Sequence, residues 1–537
     1  MASRSDLLWR SWRTLWFLLV AAVFFHAVWV RFSLPQWPLL TADSPSYLAP
    51  ALSGRMADIG PRTFPYPLFC WSLLALAGDW RALSVGQHLL GLLGPALLLL
   101  AWCQLGQRLH SIRLARALHD LLGLAMLILL LPSSSYAYYE QLAMLESFHA
   151  FLQCCLCALL CLLWLPASSG RRLIVVSVTS FLGVAMYYVN PRWGAAAPWI
   201  VLLAAASAIL LREPTRGWLR AAWPAFAAAG AAWLAFGLPQ ALISRHDPWA
   251  RAFTPKHLLW MRADLAAVEF RRELAASPPP RNAELLRTLE AKITPAVVGE
   301  GASGWATIPF NAEKILYGPG NPDADLIAAF HDDPDGYIQF CLRHYLLIIR
   351  NQPGAFLARV GRELSHFYAA DGAMSDFRGA LTTPIQRSVP IAQSLLPNAR
   401  PAVQPPLRTA IAQLEALTHQ SVEYNSPRFL FPIDDVINAH LGALSLLGAL
   451  AAGVVLLRRK LRGEPALAVT AGVSLAALGV LFFQILTLAL VTAAAPRYGN
   501  AARTLIAFSI AAVLSLGLHL GVALVRKIAK PLPGPAA

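Results

Sequence analysis

Residues 458–492 read RRKLRGEPALAVTAGVSLAALGVLFFQILTLALVT. From Ala466 to Thr492 there are 27 positions without a charge, more than the roughly 20 apolar residues a helix needs to cross hydrocarbon. Directly before them stand Arg458, Arg459, Lys460 and Arg462, and basic residues in short loops favour the cytoplasmic side. The stretch therefore defines a span and gives it a direction. Comparable runs lie near 14–30, 85–105, 117–133, 147–166, 173–189, 193–211, 221–243, 436–457 and 504–525. The expected fold is an all-α polytopic membrane protein of about ten transmembrane helices. The run from Pro65 to Ala77 is short and carries Pro65 and Pro67, which suits an interfacial or re-entrant segment better than an eleventh span.

Composition agrees with this reading. The 537 residues are 57% hydrophobic and 14% charged, with mean hydropathy +0.52, which excludes a disordered chain, a disulfide-stapled mini-domain and a collagen-like fibre. The net charge of +15 would suit a nucleic-acid binder if the cations shared one folded face with stacking aromatics. Instead, 18 of the 44 basic residues fall in the short loops on one side of the ten-span path, where Asp6, Glu213 and Glu464 are the only acids. Those loops hold essentially all the net charge, so the basicity is topogenic and no nucleic-acid partner is expected. Both termini are expected in the cytoplasm of a bacterial inner membrane. The first span, lacking a small-residue cleavage site at a suitable distance, is read as uncleaved.

Three regions follow: a membrane domain over 1–244 whose first outer loop is 31–84, an extracytoplasmic domain over 245–432, and a membrane domain over 433–537. Basic and acidic residues of the insert nearly cancel, and SPPPR at Ser277, GPGNPD at Gly318 and prolines near Pro401 to Pro406 punctuate it into short helices. Between Tyr337 and Tyr368, Phe340, Leu346, Ile349, Phe356, Val360, Leu364 and Phe367 recur at near-helical spacing, interrupted at Pro353. Two amphipathic helices are expected there. No internal repeat is visible, which counts against a secondary transporter. Cys154, Cys155, Cys157 and Cys161 crowd one span without metal-ligand partners and read as small apolar residues. A bridge between Cys70 and Cys341 is left open.

Polar chemistry gathers at the outer ends of the spans. In TADSPSYLAPALSGR from Thr41, Asp43 lies a dozen residues past the first span. A carboxylate there can take a proton from an incoming hydroxyl; equally, it can cap the helix that Pro45 helps to start. Arg62 in PRTFPYP, Arg192 in NPRW, and Arg497 with Tyr498 in PRYGN stand at neighbouring span ends. Their guanidinium forks suit a lipid-linked phosphate, and their alternative role is to anchor to headgroups. Glu140 and Glu146 sit near the same surface in YAYYEQLAMLE. No metal-binding set emerges, and no cofactor is expected.

These motifs together resemble the GT-C superfamily of integral-membrane glycosyltransferases, which use polyprenyl-phosphate sugars as donors. The resemblance rests on ADSPSYLAPAL after the first span, RTFPYPLF, YYEQLAMLESF, NQPGAFLARVGRELSHFY, and PRY before the final span. It implies an outer active site at the membrane surface and an inverting transfer from a polyprenyl-phosphate-linked sugar to an extracytoplasmic acceptor. It further implies Asp43 as catalytic base and Arg192 and Arg497 at the donor phosphate, with Arg62 and Tyr498 as further contacts there. Tyr47, Tyr66, Glu140, Glu146 and His366 are candidates for contacts to acceptor or sugar. Asp43 is followed by Ser44 and Pro45, a departure from the adjacent acidic pair of protein O-mannosyltransferases. The metal-binding acidic constellation of oligosaccharyltransferases is not seen either. The competing classes are a transporter or lipid flippase, and a non-catalytic membrane scaffold.

Overall fold

The computed structural model describes residues 4–528 except 57–59, 61, 110–111, 212–216, 279, 299–307, 369–380, 421, 423–426, 428, 459–460, 462–463 and 492–501. Every regular element among the described residues is a helix, and none is a strand. An isolated parallel bridge joins Leu39 to Leu142.

The chain opens with α1 (Arg4–Phe32), two short helices α2 (Ser44–Ser53) and α3 (Pro65–Ala77), then α4 (Arg81–Leu109), α5 (Arg113–Leu130) and α6 (Ser134–Gln141). Next come α7 (Leu145–Leu163), α8 (Ser169–Val189), α9 (Ala196–Leu210) and α10 (Trp218–Ser244), which contains a π turn over Trp233–Gly237. The insert carries α11 (Phe253–Trp260), α12 (Ala263–Leu274), α13 (Ala283–Val298), α14 (Ala312–Tyr317), α15 (Pro322–Ala329), α16 (Pro334–Asn351) and α17 (Pro353–Tyr368). It ends with α18 (Thr382–Leu395) and α19 (Gln404–Leu417), and the chain closes with α20 (Leu430–Leu457), α21 (Pro465–Val491) and α22 (Arg503–Ile528). The two amphipathic helices expected around Pro353 are α16 and α17: Pro353 lacks the N–H that would continue α16 and instead opens α17.

Among the described residues eight helices are long and apolar enough to cross a membrane, and the pair α5 and α6, bent by 51°, passes the same test when taken together, as a broken span or a re-entrant segment. The tenth expected span corresponds to α9, a 15-residue apolar helix about 22 Å long at 1.5 Å per residue. It packs back against α8. At its start the Ala195 N–H donates to Thr487 Oγ1 (2.9 Å) beside the end of α8, and past its end the Leu211 carbonyl accepts from Arg172 in the first turn of α8. Against the ten spans expected from sequence, the described residues thus supply eight such helices, one bent pair and the shorter α9. Other contacts tie helix ends together on the face that carries the insert. Arg31 at the end of α1 donates to the Leu131 carbonyl (2.8 Å). Arg503, opening α22, donates to the Leu129 carbonyl and pairs with Asp434 of α20 at 2.9 Å.

The insert is two packed units. Leu259, Trp260, Phe270, Ile293, Phe310 and Tyr337 belong to a core formed by α11 to α17. This unit docks on the bundle through Arg262, buried completely, which donates to the Ala489 and Leu490 carbonyls at the C-terminus of α21, where a cation complements the helix dipole. Helices α18 and α19 instead share a core with the first outer loop: Leu395, Leu407 and Ala410 pack with Leu48, Leu52, Tyr66 and Trp80. Ser388 Oγ accepts from the Leu40 N–H at 2.8 Å, and the Arg400 N–H donates to the Leu52 carbonyl at 3.1 Å. The first outer loop and the insert thus lie on one face. His119 and Asp120 are buried within the bundle on α5. His119 is accommodated by stacking on Trp102 at 4.3 Å.

Candidate functional site

Asp43 occupies the N-cap position of α2, yet its side chain makes no capping hydrogen bond. The turn before α2 is closed by Ser44, whose Oγ accepts from the Thr41 N–H at 2.9 Å. The Asp43 carboxylate pairs with Arg62: Nη2 donates to Oδ1 at 2.8 Å, while Arg62 Nε donates to Ser46 Oγ at 2.8 Å. The Ser46 hydroxyl in turn donates to the Asp43 carbonyl at 2.6 Å. The guanidinium lies over the Tyr47 ring at 4.6 Å and faces Phe253 of α11 at 5.6 Å. Burial disfavours the Arg62 charge, but Tyr47 and Asp43 outweigh it and its pKa stays above the ordinary value. Arg62 is 13% exposed and Asp43 32%, so the carboxylate is the open end of the pair.

The Arg62 backbone is anchored from two spans. Gln240 of α10 donates to its carbonyl (3.3 Å) and accepts from the Phe64 N–H (3.0 Å). Thr63 Oγ1 donates to the Val189 carbonyl at the end of α8 (3.2 Å). That contact sets residues 62–64 beside the turn bearing Arg192, whose N–H donates to Asn190 Oδ1 at 3.1 Å. Trp193 is fully buried, with its ring edge-on to His149 at 5.2 Å.

These elements converge on Tyr47. Burial pushes its phenol pKa up, and the charges of Arg62, Glu146, Arg192 and Asp43 all act on it. Tyr66 braces Tyr47 edge-on at 5.3 Å and donates its hydroxyl to Gln87 Oε1 at 2.9 Å. Gln87 Oε1 also accepts from Ser147 Oγ at 2.7 Å, and its amide donates to the Glu140 and Leu142 carbonyls at 2.8 Å each. Glu146, 6% exposed, leaves Oε2 buried without a hydrogen-bond partner. It faces a mainly apolar cavity shared with Tyr136, Tyr139 and Ser147.

Sequence reasoning missed the contribution of the insert. His257 of α11 donates its Nδ1–H to the Phe253 carbonyl at 2.8 Å, which leaves Nε2 toward the Tyr317 hydroxyl at 3.4 Å. Burial pulls its pKa down to about 4, helped by the charges of Lys256, Arg192 and Arg62. Lys256 pairs with buried Asp323 at 2.6 Å. The segment FTPKH offers no periodicity or spacing that distinguishes it from other polar loops; only the fold brings it over Arg62.

Other expected residues have different surroundings. Arg62, expected at a donor phosphate, is committed to Asp43 and Ser46. Glu140 is buried in an ionic triad: Arg31 grips it through two hydrogen bonds of 2.6 and 2.8 Å, and His88 Nδ1 donates to it at 2.8 Å. Tyr66 is buried and occupied with Gln87. His366 is half-buried on α17 with its ring against Phe367 at 6.4 Å, on a helix packed on α20 and α21. Arg497 and Tyr498 lie outside the described residues. Among the described residues no group of three His, Cys, Asp or Glu is placed to hold a metal ion.

No family model and no curated protein matches the chain. Among solved structures it is similar to ArnT from Cupriavidus metallidurans bound to undecaprenyl phosphate, with 13% identity over 98% of this chain and 81% of that one and a TM-score of 0.31. It is also similar to the archaeal oligosaccharyltransferase AglB from Archaeoglobus fulgidus in complex with an inhibitory peptide and a dolichol-phosphate. There the identity is 14% over 97% of this chain and 52% of that one, with a TM-score of 0.39. Likeness at this level carries no argument about activity.

Proposed function

We propose that the chain is a membrane glycosyltransferase that moves a sugar from a polyprenyl-phosphate carrier to a hydroxyl acceptor on the face bearing the insert. The observation that carries this reading is the Asp43 carboxylate. It stands at a helix start, does no capping, is held by Arg62 and stays one-third exposed, with Arg192 and Glu146 acting on the same Tyr47. Asp43 accepts the proton of the acceptor hydroxyl as the new bond to the sugar C1 forms, and the old C1–O bond breaks on the opposite side of the ring, inverting the anomeric centre. The departing polyprenyl phosphate gains negative charge on the oxygen it keeps. Arg192, with Arg497 and Tyr498, stabilises that charge near the apolar interface, where water screens it least. Arg62 orients the base, and Glu146 is the second acidic group available to a sugar hydroxyl. The alternating helices supply apolar walls for the prenyl chain.

The test is transfer from a polyprenyl-phosphate sugar by purified protein in liposomes. Because Asp43 does no capping, Asp43→Asn protein is expected to fold and melt as the parent does. Its transfer is expected to fall by about two orders of magnitude or more. Near-parental transfer by folded Asp43→Asn protein removes Asp43 as base and makes Glu146 the next carboxylate to test.

A further inference from the structure

At the end of the bundle opposite Asp43 there is a second cavity, polar in its lining and of about 290 Å³. The run of α7 from Glu146 to Leu163, which lines it, places it about 26 Å from Glu146 at a rise of 1.5 Å per residue. The last turns of α4 contribute Gln104, Gln107 and Arg108, and the first turn of α8 contributes Arg171 and Arg172; Leu163 and Leu165, from the end of α7, form an apolar wall. Among the described residues its lining holds three guanidinium groups and no acidic side chain.

Arg172 is built into the floor. It donates to the Leu211 carbonyl and, at 3.3 Å, to the Ala167 carbonyl, which fixes the plane of its fork. Its Nε is buried without a hydrogen-bond partner, and leaving a charged donor unsatisfied is costly. Arg108 and Arg171 are exposed at the mouth, where their forks can take an anion. Leu173 and Ile174, immediately after Arg172, present their side chains outward at 50% and 63% exposure, which sets the cavity at the boundary between apolar surface and charge. Topogenic arginines need only lie in a loop; these three line a cavity with two carboxamide donors and one unsatisfied N–H.

We propose that this cavity binds a phosphate-bearing anion, its oxygens taken by Arg108, Arg171 and Arg172 with Gln104 and Gln107 completing the donor set. The source of the phosphate is an anionic phospholipid headgroup or free phosphate, and the site stands independently of the transfer reaction at the other face.

The experiment uses full-length protein in detergent and the double variant Arg108→Gln/Arg171→Gln, which leaves the structural Arg172 in place. Native mass spectrometry measures retention of phosphatidylglycerol against phosphatidylcholine, and thermal shift measures the response to inorganic phosphate. The expected result is preferential retention of phosphatidylglycerol by the parent, weakened about tenfold or more in the variant through loss of two cationic contacts. That outcome assigns a lipid headgroup. Stabilisation of the parent but not the variant by inorganic phosphate, without lipid preference, assigns free phosphate. Parent and variant behaving alike toward both probes overturns the site. A Gln104→Leu/Gln107→Leu variant keeps the proposal falsifiable should the arginine variant fail to fold, since it too is expected to lose retention.

Discussion

The pair of Asp43 and Arg62 shows how one side chain is reassigned by its neighbours. An aspartate before Ser-Pro is well placed to cap a helix, but Ser44 performs the turn closure and Arg62 draws the carboxylate outward. Lysine at position 62 keeps a charge but cannot hold Asp43 Oδ1 and Ser46 Oγ together in one planar fork. Arg62→Lys is therefore expected to lower transfer by about ten- to a hundredfold through misplacement of the carboxylate, with little change in melting temperature; unchanged transfer removes the orienting role. His257 makes a prediction in pH. Its folded pKa of about 4 lies below the ordinary 6.5, so the unfolded chain binds the proton first as pH falls. Stability is expected to decline on acidification from pH 6.5 toward 4. His257→Gln should flatten that decline in melts recorded across the window, and an unaltered slope would exclude His257 as its source.

At the level of elements, α1, α4 and α6 are locked by Arg31, His88 and Glu140, which are buried together. Gly91 of α4 makes room for this triad, because a Cβ there would lie 1.9 Å from Glu140 Oε1. Gly91→Ala must push the carboxylate off Arg31. Glu140→Gln, which leaves Arg31 buried without its counter-charge, is expected to cost about 3–5 kcal/mol. Both are measured as loss of thermal stability in detergent. Arg31→Met combined with Glu140→Gln should recover part of the loss, as coupled partners do. Melts matching the parent for both single variants would show that the triad does not hold these helices. The bend between α5 and α6 falls at Pro132, which has no N–H to continue the helical ladder, and the Leu131 carbonyl left over at that break is taken up by Arg31.

For the whole molecule, the shared core of the first outer loop with α18 and α19 requires that these segments lie on one side of the membrane. Ser394, exposed on α18, is expected to be labelled from outside intact cells when changed to cysteine. Ser168, exposed before α8 at the opposite end, should react only after the inner face is opened. Labelling with the reverse preference would invert the orientation and place the Asp43 site in the cytoplasm.

What the amino-acid order determined by itself is what depends on neighbours along the chain. Length and apolarity mark the spans, because crossing hydrocarbon requires every backbone group to be satisfied within the segment. Pro353 separates α16 from α17 because it has no N–H to give. Asp43 stood out as an acid just past a span, though base and cap could not be told apart. Tertiary structure decided between cap and ion pair, because the competitor for the carboxylate lies 19 residues away on a loop held by α8 and α10. It also gave Glu140 to Arg31 across 109 residues, divided the insert between two cores, and brought His257 to Arg62. Long-range electrostatics and packing depend on where the path of the chain returns, and no local pattern records that return.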